Sequence, residues 1–246
     1  MAETISLDFG KPVALFPLAQ TTLLPHAVQA LHIFEPRYRQ MIEHALEAME
    51  EGKLLTAAPI AMASLRRRPG GGNASPELHL PNPPLRPAVC VGKIVQHQGL
   101  ADGRHNILLQ GVCRARIRQL LEPTGERLFR LAMLEPLERV TDPPPSLPGV
   151  RAAFRRILAS PRLSRLNGTP AVLEWVARRD IPMHALLELI GSTLVCDEAL
   201  RYRLLAEPDP QRRAILTYRE LDRIDRIVAK ASEQDASRWP KGVSWN

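Results

Sequence analysis

The sequence predicts an α+β protein: a small β-barrel with one packed helix, followed by an α-helical bundle. Three observations predict it. Short apolar runs bounded by turn residues follow one another from residue 13 to residue 137, one run of helical spacing lies among them, and everything after the segment TDPPPSLPG (141–149) has helical spacing.

Val13, Leu15 and Phe16-Pro17 read as a short strand that stops at proline, which cannot donate to a ladder and fits only an edge or a strand end. Residues 28–33 (VQALHI) are apolar at alternate positions of both parities, which predicts a second strand buried on both faces. Pro36 suits a first helical position, where its missing N–H is not needed. Tyr38, Met41, Ile42, Ala45, Leu46 and Met49 then recur at helical spacing, Glu43, Glu47, Glu50 and Glu51 fall elsewhere, and Gly52 supplies a stop.

Residues 54–63 form a strand candidate interrupted by Pro59. The Pro/Gly-rich stretch that follows, with RRRPGGG and PNPPLRP, predicts a mobile loop over about 64–87. Residues 88–97, 104–110, 112–121 and 128–137 read as successive strands, with Asp102-Gly103 as a tight connection. Several strands around one helix imply a closed or partly closed barrel over residues 1–140. The prolines of 141–149 make a stiff connector. Helices are predicted over 150–159, 170–177, 182–195, 198–205 and 210–230, with Asp197 and Asp209 at N-cap positions. In the last of them Ala214, Tyr218, Leu221, Ile224 and Val228 form an apolar stripe. This bundle spans 150–230, and the aperiodic tail 231–246, with Trp239 and Trp245, is expected to be loosely held unless a tryptophan docks.

Composition narrows the function classes. The 246 residues are 45% hydrophobic, enough for a sizeable core, and no apolar stretch approaches the roughly 20 residues of a membrane span. Three widely spaced cysteines and the lack of a leader-like start argue against a secreted disulfide framework and for the reducing cytoplasm. The net charge of +7 lies mainly after residue 138 and permits nucleic-acid or acidic-protein partners without identifying one.

Two segments carry a family resemblance. Residues 13–39 (VALFPLAQTTLLPHAVQALHIFEPRYR), continued by MIEHAL, are followed by residues 91–122 (VGKIVQHQGLADGRHNILLQGVCRARIRQLLE): a Val-Gly strand, a loop closed by Asp-Gly, an Asn-Ile-Leu-Leu strand, then Gly-Val and an arginine-rich strand. With the helical pattern of 186–227 in collinear order, the chain resembles the LON amino-terminal domain, the substrate-recruiting module of Lon-type ATP-dependent proteases. The resemblance implies a PUA-like barrel followed by a helical bundle. In full Lon proteases this unit helps select and hold unfolded substrates, and in cereblon-like proteins it is an interaction scaffold. It implies a stand-alone, non-catalytic protein that binds unfolded or client polypeptides and recruits or regulates clients of an ATP-dependent protease. The alternative is an RNA-binding PUA-like module that uses the arginine-rich strand.

The elements of Lon catalysis are not legible. A P-loop requires GxxxxGK[ST], but Gly70-Gly71-Gly72 is followed by Asn73-Ala74-Ser75, and Gly10-Lys11 by proline. A Ser-Lys protease domain is likewise not expected, since Ser192 lies mid-helix with no lysine near it in sequence and reads as a small packing residue. Neither the seven histidines nor the cysteines have metal-ligand spacing, so no metal and no cofactor are expected. His97 and His105 are placed to face each other across a hairpin, and Cys90 and Cys113 read as small buried hydrophobes.

Two sets of residues are candidates for partner contact. Arg114, Arg116 and Arg118 alternate with Cys113, Ala115 and Ile117, so all three guanidinium groups are expected on one side of a strand, with Arg66, Arg67 and Arg68 able to extend the patch toward an acidic or phosphate-bearing partner. No aromatic interleaves them, which weakens the case for RNA stacking. The motif Phe34-Glu35-Pro36-Arg37-Tyr38 is expected to be structural, with both aromatics packed on the barrel. Client contact is expected in a groove between barrel and bundle.

Overall fold

The computed structural model describes residues 7–66, 82–138 and 147–233. Strands β1 (Val13–Leu18) and β2 (Val28–Ile33) precede helix α1 (Pro36–Glu47), then come β3 (Ile60–Leu65), β4 (Leu85–Gly99), β5 (His105–Leu121) and β6 (Leu131–Pro136). Helices α2 (Val150–Leu158), α3 (Thr169–Ala177), α4 (Met183–Leu194), α5 (Glu198–Ala206) and α6 (Pro210–Glu233) complete the described chain. This is the expected α+β class. The six strands form one mixed sheet in the order β2-β5-β4-β3-β1-β6, and β6 pairs with β5 as well as with β1. Among the described strands β1 and β3 run parallel and the other pairs are antiparallel.

Both faces of the sheet's centre are buried, which is why VALF, IAMAS and AVCV read as continuous apolar runs. One face holds Val13, Leu15, Ala61, Ala63, Val89, Val91 and Leu134, small enough to pack within the sheet's curve. The other holds Phe16, Ile60, Met62, Cys90 and Ile94, and takes Tyr38, Met41, Ile42 and Ala45 from α1 and Tyr202 and Leu205 from α5. Each large side chain buried there contributes about 1.5–3 kcal/mol. A separate helical core gathers Phe154, Leu158, Val172, Leu186, Ile190 and Leu221. Asp197 caps α5 by accepting from the Leu200 N–H at 2.8 Å, and Asp209 accepts from the Gln211 N–H at 2.8 Å.

Several boundaries differ from the sequence expectation. Strand β2 is not buried on both faces: it lies at the end of the sheet order, and Val28, Ala30 and His32 are exposed. Leu54–Thr56 is a 3-10 turn, and β3 starts after Pro59. Strand β3 reaches Leu65 and β4 begins at Leu85, so both ends of the expected 64–87 loop are strand; residues 67–81 lie outside the described residues, as do 139–146 and 234–246 with Trp239 and Trp245.

The two expected strands around Gly111 are one strand of 17 residues. Gly111 is there for close approach, not for a turn. Its C=O accepts from the His26 N–H at 2.8 Å, and its N–H donates to the Ala27 C=O at 2.9 Å. A Cβ would run into the Leu24 carbonyl and sit 2.9 Å from Cys90 Sγ. Gly111→Ala is therefore expected to cost about 1–3 kcal/mol through overpacking, read as a lower urea midpoint.

Candidate functional site

The segment 34–38 divides its labour between core and surface. Pro36 opens α1, and the Glu35 carboxylate, instead of capping the helix, accepts from Arg37 Nε at 2.9 Å and Nη2 at 2.7 Å. The Arg37 guanidinium lies 4.6 Å from the Tyr38 ring centre, and Tyr38 packs edge-on against Phe16 at 4.6 Å. Burial pushes the Tyr38 hydroxyl up to about 12. Tyr38 thus packs as expected, but Phe34 does not: 60% of it is exposed. Ile33 takes the last inward position of β2, so the next residue turns out, and Phe34 stacks beside His32 with ring centres 6.2 Å apart.

Phe34 has exposed apolar company. Val28 (53% exposed) lies on β2, and Leu128 (47%) joins Glu35, Pro36, Arg37, Asn82 and Pro123 around an open hollow of about 480 Å³. A second hollow of about 360 Å³ lies on the outer side of β2, β5 and β4, lined by Ala30, His32, Gln96, Gln98, Asn106 and Leu108 among others. The face is therefore mixed: apolar at its ends and amide-rich between.

Between strands and helices, among the described residues, lies a cluster of buried charge. Arg114 is 1% exposed, and its guanidinium meets Glu138 at 2.6 Å and Glu188 at 2.7 Å. Arg213 of α6 completes the cluster, 2.9 Å from Glu188 and 3.0 Å from Glu138. Burial opposes the charge on Arg114, but the two carboxylates outweigh it and hold its pKa above the ordinary value. Arg114 is thus removed from the predicted surface row, because α4, α5 and α6 pack where its side chain emerges, and its Nε donates to the Leu205 C=O. Arg116 and Arg118 are exposed but flank one carboxylate, Glu135, at 4.0 and 2.7 Å, where the β5–β6 register shifts between Ile117 and Gln119. Arg66 is exposed at the end of β3; Arg67 and Arg68 lie outside the described residues.

His97 and His105 do face each other, with Nε2 and Nδ1 3.0 Å apart. Among the described residues no group of three or more His, Cys, Asp or Glu could hold a metal. Ser192 sits in α4 and donates to the Leu189 C=O at 3.0 Å, a packing arrangement. Among the described residues no helix is long and apolar enough to cross a membrane.

Burial lowers the imidazole pKa of His184, beside the charged cluster, and of His97, where His105 adds to the effect. A folded imidazole that resists protonation leaves the unfolded chain binding more protons, so stability falls as the pH drops below about 6.5. Thermal melts at about pH 7.5 and about pH 5.5 should show a lower Tm at the acid value, and a smaller drop in the variant His97→Gln/His184→Gln.

The model of the ATP-dependent protease La (LON) substrate-binding domain matches residues 12–223. The chain belongs to the LON substrate-binding domain family. The fold agrees: a Lon N-terminal domain protein from Xanthomonas campestris superposes with a TM-score of 0.56 at 17% identity, covering 82% of this chain and 94% of that one. The N-terminal domain of the Mycobacterium avium complex Lon protease gives 0.59 at 17% identity, covering 86% and 98%. A comparison with curated proteins returned no match. In this LON domain the motif that carries the resemblance contributes both a core residue, Tyr38, and a surface one, Phe34. The charge cluster had a sequence signal too: Glu188 interrupts the apolar run LLELI of α4, and a carboxylate there demands a buried partner.

Proposed function

We propose that this LON domain binds polypeptide clients on the face that carries Val28, Phe34 and Leu128, and hands them to ATP-dependent proteolysis in the reducing cytoplasm. The observation that supports it most is Phe34. A large aromatic 60% exposed on a helix-initiating turn buries little of its ring in the fold and offers an anchor to unfolded chains, whose distinguishing property is accessible apolar side chains. Family membership supports the same class of ligand. Arg116, Arg118 and Arg66 are placed to steer acidic segments but not to form one continuous stripe with Arg114.

Immobilised protein incubated with reduced, carboxymethylated protein and, separately, with a Lon-type protease tests the proposal. Retention of the unfolded protein, and not of its native form, is the expected result. Failure to retain either the unfolded protein or the protease would sink it.

A further inference from the structure

We propose that the open edge of β2 captures an extended segment of a client by strand addition, so that recognition runs through the client's backbone as well as its side chains. The inference rests on the polypeptide-binding proposal above and specifies its mode.

Backbone parity carries the argument. Among the described residues strand β2 pairs with β5 alone, in unbroken register from Val28 opposite Gln110 to Ile33 opposite His105. The bond from the Gly111 N–H to the Ala27 C=O sets the parity, since Ala27 and Gly111 continue that register. Gln29, Leu31 and Ile33 therefore exchange their bonds with β5, and Val28, Ala30 and His32 turn their N–H and C=O groups away from the sheet. The Gln29 side chain confirms the direction: its Nε2 donates to the Ala30 C=O at 3.1 Å, standing where the N–H of a further strand would stand.

Natural sheets cover or blunt such an edge with proline, lysine or a bulge, because it is a template for pairing. From Val28 to Ile33 this edge has no proline, no lysine and no bulge; the bulge that sets His26 and Ala27 opposite Gly111 lies before it. A second copy of the chain is the poorer occupant. Strand β2 has six residues, so at about 3.4 Å per residue and about 10 Å of sheet depth an added strand covers roughly 200 Å² per partner, against roughly 800 Å² in a stable interface. That area suits a short-lived contact with a chain that brings its own unpaired backbone, which is what an unfolded client has. Val28 and Phe34 at the two ends, with Leu108 between them in the hollow, favour apolar side chains at alternate positions of the added strand.

The probe is a short fluorescein-labelled peptide of alternating valine and threonine with a lysine at each end, and two versions of it N-methylated at one or the other set of alternate residues. The unmodified peptide should bind, one N-methylated form should bind at least roughly tenfold more weakly, and the other should bind nearly as well as the parent. Ala30→Pro removes an N–H that β5 does not use and should weaken binding at least roughly tenfold with unchanged circular dichroism and Tm. If that variant does not fold, the N-methyl comparison on the unaltered chain decides alone.

Equal binding of both N-methylated peptides overturns strand addition. So does a dimer that Ala30→Pro dissociates, since the edge would then belong to a second copy. No peptide binding alongside retention of carboxymethylated protein overturns strand addition and leaves the polypeptide-binding proposal standing; loss of both overturns both.

Discussion

Arg114→Met lowers the stability of the folded chain by about 3–5 kcal/mol, the cost of breaking a buried ion cluster from one side. Glu138 and Glu188 lose one of two guanidinium partners, and Glu188 sits 3% exposed, where water cannot replace it. The Leu205 carbonyl loses its donor as well. The cluster joins β5, the residues after β6, α4 and α6, so the loss should loosen the docking of the helices on the sheet before it disturbs either core. Urea unfolding followed by tryptophan fluorescence in a Trp239→Phe/Trp245→Phe background, which leaves Trp175 on α3 as the reporter, against hydrogen exchange in β4 and β5 resolves the two stages. Adding Glu188→Met to Arg114→Met should recover part of the lost stability, because the excess buried negative charge leaves with it while Arg213 keeps Glu138. A double variant no more stable than the single one would show that the cluster does not act as a unit.

Phe34→Ser weakens binding of unfolded protein at least tenfold, about 1.4 kcal/mol, and changes Tm little, because the ring it removes makes almost no core contact. Tyr38→Ala, four residues on, should do the opposite. Its ring lies in the core against Phe16, so it should cost about 3–5 kcal/mol of stability and affect binding only as far as the fold is lost. Anisotropy titrations of labelled carboxymethylated protein, paired with melts of both variants, separate the two roles.

Helices were the most legible part of this chain because their signals are local. Asp197, Asp209 and Pro36 mark starts that the backbone honours, and α1 buries the expected face. Strand burial is not local. Residues 28–33 look as apolar as the central strands, but whether an apolar strand is covered depends on its neighbours, and among the described residues β2 has only one. Period two places Arg114, Arg116 and Arg118 on one side of β5, which holds until a register shift and three packed helices give Arg114 a different environment from the others. Gly111 looks like a break in the sequence; the chain crossing at Leu24 to Ala27 that requires it lies about 85 residues away in sequence and leaves no local mark. The motif 34–38 was visible as a unit, but its split between a buried Tyr38 and an exposed Phe34 follows from the parity of β2, which only the pairing with β5 reveals.

In the proposed function, clients meet this LON domain on the face of β2 and Phe34. Titrating the ¹⁵N-labelled chain with unlabelled carboxymethylated protein and following its amide resonances locates the contact directly. Shifts and slowed exchange are expected to concentrate at Val28, Ala30, His32 and Phe34 and to extend to Leu128. Perturbation confined to the apolar groove between α2 and α6, lined by Val150, Phe154, Ile215 and Tyr218, would contradict it.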